Sequence, residues 1–156
     1  MSNTFGLSGP GNDYRHQIII SYIIYDLMKK FVKVKSYQNY IVLPELSLKP
    51  RSSKIPDLTV YKTIKGMPVE AVLLIEICNT NKIKDDTKKL SELMENMLSV
   101  KEAFVIDKNS LDITKICRTK TNKPTAPKKD SKIELLKVNL SKTLKILNNS
   151  FITSRS

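Results

Sequence analysis

The sequence predicts an α/β domain, on three observations. Two stretches repeat apolar residues at helical spacing, short runs rich in Val, Ile and Leu separate and follow them, and two of those runs each carry a single carboxylate in otherwise apolar strand sequence. At 156 residues the chain has the size of one domain and can bury a sizeable core.

Ile19, Tyr22, Ile23, Leu27 and Phe31 recur at the spacing of a helix over residues 14–33, with Asn12 or Asp13 placed to cap it. Tyr40 to Leu48 reads as a strand broken by Pro44, since proline cannot donate to a ladder. KIPDLTVYK (Lys54 to Lys62) and AVLLIEICN (Ala71 to Asn79) supply two more strands, joined by a turn over roughly Thr63 to Pro68 that contains Gly66. After Asn79, Thr80 and Asn81 a second helix is expected from about Asp85 to Ser99. Leu90, Leu93, Met94 and Met97 mark its buried face, and Asp85 and Asp86 suit its positive start. Strands Ala103 to Ile106 and Leu111 to Arg118 follow. Lys120 to Asp130, with two prolines and no apolar period, reads as an exposed basic loop. Lys132 to Leu140 is expected to be a further strand and Leu144 to Phe151 a short terminal segment.

Charge narrows the partner. Twenty-seven basic against fifteen acidic side chains give +12, and the excess is uneven: +4 over residues 1–100 and +8 over residues 101–156. A polyanion fits such a surface, although a lysine-rich chain also needs those charges simply to solvate itself. With no Trp and no aromatic residues interleaved with the basic ones, a single-strand stacking platform is disfavoured, and phosphate contact by lysine fits better. The longest apolar run, Ile18 to Leu27, is broken by Ser21 and Asp26 and falls short of the ~20 residues a bilayer requires, so no membrane partner is expected. The amino terminus shows neither a basic start nor an apolar stretch, which makes the cytoplasm the expected location. Cys78 and Cys117 have no zinc or redox spacing and read as small core residues.

Asp57 and Glu76 carry the chemistry. Acids are almost never buried unpaired, so each must reach solvent, pair with a cation or bind metal, and a lysine would satisfy either one alone. A hairpin return brings their strands side by side. Period-2 geometry puts Asp57, Thr59 and Tyr61 on one face and Leu74, Glu76 and Cys78 on one face, so a suitable register joins the two acids. Hard oxygen ligands of this kind suit Mg²⁺ or Mn²⁺, which keep several waters beside one or two carboxylates. Glu45 is a third acid within reach in sequence, though a glutamate following proline on an edge strand is ordinarily solvated.

These residues, in this order, resemble the PD-(D/E)XK nuclease superfamily and, within it, the bacterial Uma-two family of restriction-endonuclease-like proteins. Pro56-Asp57 matches the first element and Glu76 in LLIEIC the acid of the second. Cys78 stands where the superfamily has lysine. The Uma-two pattern instead places the lysine on the following helix, where DDTKKL (Asp85 to Leu90) offers Lys88 and Lys89, and Lys89 keeps the family's D-x-x-x-K spacing from Asp85. VKEAFVID (Val100 to Asp107) resembles the family's next strand, and YRHQIIISYIIYDL its first helix, including its histidine at His16. The resemblance spans roughly residues 14–107. It implies a restriction-endonuclease-like core over about 14–118, a mixed central sheet flanked by helices, in one domain covering 1–156. It also implies a Mg²⁺- or Mn²⁺-dependent endonuclease on DNA, with Asp57 and Glu76 as metal ligands and Lys89, Lys88 and His16 as further site residues. A homodimer is compatible with it. A partly buried or capping role remains open for His16. Two readings from other classes stand beside this one: a nuclease-fold protein that binds nucleic acid without cutting it, and an interaction module whose acids are merely salt-bridged.

Overall fold

Ile19, Ile20, Ile23, Leu27 and Phe31 are buried along one face of α1 (Tyr14–Lys33), the stripe its sequence predicts. Asp13 caps the helix by accepting the His16 N–H at 3.0 Å, and Lys30 and Lys33 lie in the last turn, where the helix dipole favours cations. The computed structural model describes residues 13–45 and 55–153, with side chains as far as Asn148. The alternative cap Asn12 and the part of the predicted first strand beyond Glu45 lie outside the described residues.

The chain then runs back and forth through β1 (Tyr40–Pro44), β2 (Leu58–Ile64) and β3 (Met67–Cys78), crosses over through α2 (Ile83–Asn96), and continues as β4 (Glu102–Asp107), β5 (Ile113–Ile116) and β6 (Lys128–Lys129). Spatial order follows sequence order, β1-β2-β3-β4-β5-β6. Every neighbouring pair is antiparallel except β3 and β4, which the α2 crossover makes parallel, so the sheet is mixed. The β2–β3 turn is Lys65-Gly66 with φ of +51° and +78°, the doubly left-handed pair of a tight hairpin whose twist matches its strands.

Two apolar layers sandwich the sheet. Leu58, Val60, Leu73, Ile75, Ile77, Phe104 and Ile106 meet α1 and the carboxy-terminal helix α3 (Leu140–Thr153), while Leu74, Cys78, Ala103, Val105 and Ile116 meet Leu90, Leu93 and Met94 of α2. This alternation along β3 puts Glu76, between Leu74 and Cys78, on the α2 face. Among the described residues no helix is long and apolar enough to cross a membrane.

Three expectations are corrected. The second helix begins two residues early, after a single 3-10 turn at Thr80–Lys82, and ends at Asn96 rather than Ser99. The basic loop is partly sheet: β6 pairs with β5, and Arg118 bridges to Pro124. Lys132 to Leu140 is not one strand but two of two residues each, β7 (Lys132–Ile133) and β8 (Val138–Asn139), around a turn in which Lys137 has φ +51°. The cause is a distant carboxylate. Glu102 accepts the N–H groups of Glu134 at 2.8 Å and Leu135 at 3.0 Å, which stops that stretch from extending. The expected short terminal segment is α3.

Candidate active site

Pairing of Leu58 with Ile75 carries Asp57, one residue earlier, opposite Glu76, and the irregularities of this ladder lie further along, beyond Val60. Asp57 sits where the ladder ends. Its Oδ2 accepts the Ile77 N–H at 2.7 Å, extending the hydrogen bonding of β3 through a side chain, and its Oδ1 lies 3.0 Å from His16 Nε2. His16 is 1% exposed on α1, so the helix start and the strand start are fastened through one carboxylate. The Nδ1 of His16 has no hydrogen-bond partner among the described residues.

Glu76 is 7% exposed. Lys89, reaching across from α2, donates to Glu76 Oε2 at 2.9 Å and to the Ile55 carbonyl at 3.1 Å. Burial, reinforced by the neighbouring Asp57 charge, outweighs this ion pair and pushes the Glu76 carboxyl up to about 8. Asp86, three residues before Lys89 and so on the same side of the helix, is raised as well, by burial first and also by Asp57 and Asp85, against the pull of Lys89 and a hydrogen bond with Cys78. Burial likewise pushes the Cys78 thiol up, which leaves it an inert core group.

Of the residues singled out from sequence, Asp57, Glu76, Lys89 and His16 are therefore brought together. Lys88 is not: it is exposed, about 100° round the helix from Lys89. Glu45 is also exposed, and only its backbone takes part, donating to the Asp57 carbonyl at 3.0 Å. Asp86, which the sequence reading does not single out, lies beside this cluster. Helical phase was the available signal, because the i,i+3 partner of Lys89 is Asp86, while Asp85 points to solvent 4.0 Å from Lys82.

The donor set fits a hard divalent cation. Asp57 and Glu76 offer carboxylate oxygens with lone pairs left over after the contacts above, and the Asp57 charge adds to burial in disfavouring ionisation of Glu76. Among the described residues no three His, Cys, Asp or Glu groups converge into a preformed cage.

No family model matches the sequence, and no curated protein matches it. The fold is similar to the crystal structure of a candidate nuclease belonging to DUF820 from Anabaena variabilis. The TM-score is 0.59 at 11% sequence identity, over 88% of this chain and 84% of that one. At that identity the likeness is one of fold: a mixed sheet flanked by helices.

Proposed function

We propose that this chain is a metal-dependent endonuclease acting on DNA, of the Uma-two kind, with Mg²⁺ or Mn²⁺ held by Asp57 and Glu76. The carrying observation is the Asp57–Glu76 pair across β2 and β3 with the Lys89 ammonium 2.9 Å from Glu76. When bound, such an ion supplies Lewis acidity toward a phosphodiester and makes water a nucleophile at neutral pH. The chain does the rest. His16 and the Ile77 N–H hold both oxygens of Asp57, fixing where the carboxylate points. Lys89, 23% exposed at its side chain, is packed along its stem with its head at the site, placed to stabilise charge developing on a phosphate oxygen and to orient the attacking water. On this reading Lys89, from α2, serves in place of the lysine that is absent at Cys78.

The substitution at Cys78 also favours a second reading, a nuclease-fold protein that binds nucleic acid without cutting it. Supercoiled plasmid and oligonucleotide cleavage with Mg²⁺ or Mn²⁺ separates the two. Wild type should cut, Asp57→Asn and Glu76→Gln should lose about a thousandfold or more, and Lys89→Met about a hundredfold or more. All three should still bind DNA. A wild type that binds DNA with unchanged affinity in both acid variants, yet cuts nothing with either metal, removes the nuclease assignment and leaves the binder.

A further inference from the structure

Lys84 and Lys88 stand one turn apart on the outer face of α2, both exposed, and neither has a hydrogen bond or ion pair among the described residues. The two acids between them in sequence are engaged elsewhere, and Glu92 follows Lys88 by one turn. Asp85 is with Lys82 at 4.0 Å, and Asp86 faces Cys78 and Lys89. Lys84 moreover lies in the first turn of the helix, where the dipole disfavours cations, so it sits there against the local preference of the helix.

Two loci compete for a phosphate backbone. The basic loop is the richer in lysine, with Lys120 and Lys123 exposed, but Lys129 is paired with Asp112 at 3.3 Å and Lys128 with Asp130 at 3.7 Å. It also lies at β6, three strands away from β3, which is about 14 Å at the spacing of neighbouring strands. The α2 lysines belong to the helix that delivers Lys89 into the candidate site. Lys88 is its immediate neighbour, and Lys84 lies about 6 Å further toward the helix start, at the end of β3 that carries Glu76.

We infer that Lys84 and Lys88 form a phosphate-gripping track that seats the nucleic-acid backbone beside Asp57, Glu76 and Lys89. This rests on the endonuclease reading for the site, while the grip itself is a matter of binding. Lys88 thereby acts as a positioning residue for substrate and has no part in the chemical step. The contacts go to the backbone and carry no sequence preference.

The test pairs Lys84→Ala/Lys88→Ala with a control of equal charge loss on another helix, Lys142→Ala/Lys145→Ala on α3, whose lysines are also exposed. Affinity for a 20-base-pair duplex is measured from 50 to 300 mM salt. The α2 pair should weaken binding about tenfold at 100 mM and lower the slope of log affinity against log salt by about 2, while the α3 pair leaves the slope near wild type. In cleavage assays KM should rise with kcat unchanged. Equal effects from the two pairs, or an unaltered slope in the α2 variant, would overturn the track. A wild type that cuts nothing but shows the α2-specific slope change would sink the nuclease reading and uphold the track. Wild type that binds no duplex at 50 mM salt would sink both.

Discussion

Replacing Glu76 by Gln removes a charge that the fold holds at a loss. Its carboxyl is displaced from an ordinary 4.5 up to about 8, by burial first and the Asp57 charge second. A raised carboxyl keeps its proton in the folded chain at pH values where the unfolded chain has lost it. Stability is therefore complete below about 4.5 and falls as pH rises toward 8, where the loss levels off. The slope is about 1.4 kcal/mol per pH unit, and over this window the ceiling is about 5 kcal/mol. Glutamine is close in shape to the protonated side chain. Urea midpoints of wild type and Glu76→Gln in EDTA should thus nearly coincide at pH 5, with the variant the more stable by several kcal/mol at pH 9. Lys89, left without its partner, can turn its partly exposed head to water. Magnesium at ten times its dissociation constant, added at pH 8, should return about 1.4 kcal/mol to wild type and nothing to the variant. Parallel stability curves, offset equally at every pH, would refute the claim that a buried, repelled carboxylate occupies this position.

Two predictions concern the frame behind the site. Lys115 is 1% exposed, 3.0 Å from Glu102 and donating to the Lys132 carbonyl at 2.6 Å, so Glu102→Gln leaves a buried ammonium whose remaining carboxylate, Asp130, is 3.8 Å away. It should cost about 3–5 kcal/mol in urea unfolding, and Glu102→Gln/Lys115→Met should recover part of that; an unmoved midpoint would show that the pair is not buried in solution. Arg118 donates to the carbonyls of Met94, Met97 and Val100, closing the end of α2. Arg118→Ala should lose about 1–3 kcal/mol and speed amide exchange in the last turn of α2, and exchange that is unchanged there would contradict this capping role.

Local signals were legible, and contacts between distant residues were not. The bounds of α1 follow from its apolar stripe and the Asp13 cap, both written within one stretch of sequence. The Asp57–Glu76 pairing was legible for the same reason, because a short turn and a period of two leave few registers. Of Lys88 and Lys89 it is Lys89 that contacts Glu76; its spacing from Asp85 points to it in sequence, whereas the packed acid beside it is Asp86. The His16–Asp57 contact joins residues 41 positions apart in sequence and depends on how α1 lies over the sheet. The Lys132–Leu140 stretch fails as a strand because Glu102, more than thirty residues earlier, captures its backbone. Alternating Ile133 and Leu135 gave a strand pattern that this carboxylate overrides.

The account turns on whether Asp57 and Glu76 hold one divalent ion, and Mn²⁺ titration followed by electron paramagnetic resonance measures that directly. Free Mn²⁺ gives a sharp six-line signal that protein binding broadens. At pH 8 wild type should remove about one Mn²⁺ per chain from that signal, Mg²⁺ should compete it back, and Asp57→Asn and Glu76→Gln should each lose at least tenfold in affinity. A signal that wild type leaves undiminished, or that both variants diminish as well as wild type does, would contradict a metal site at this pair.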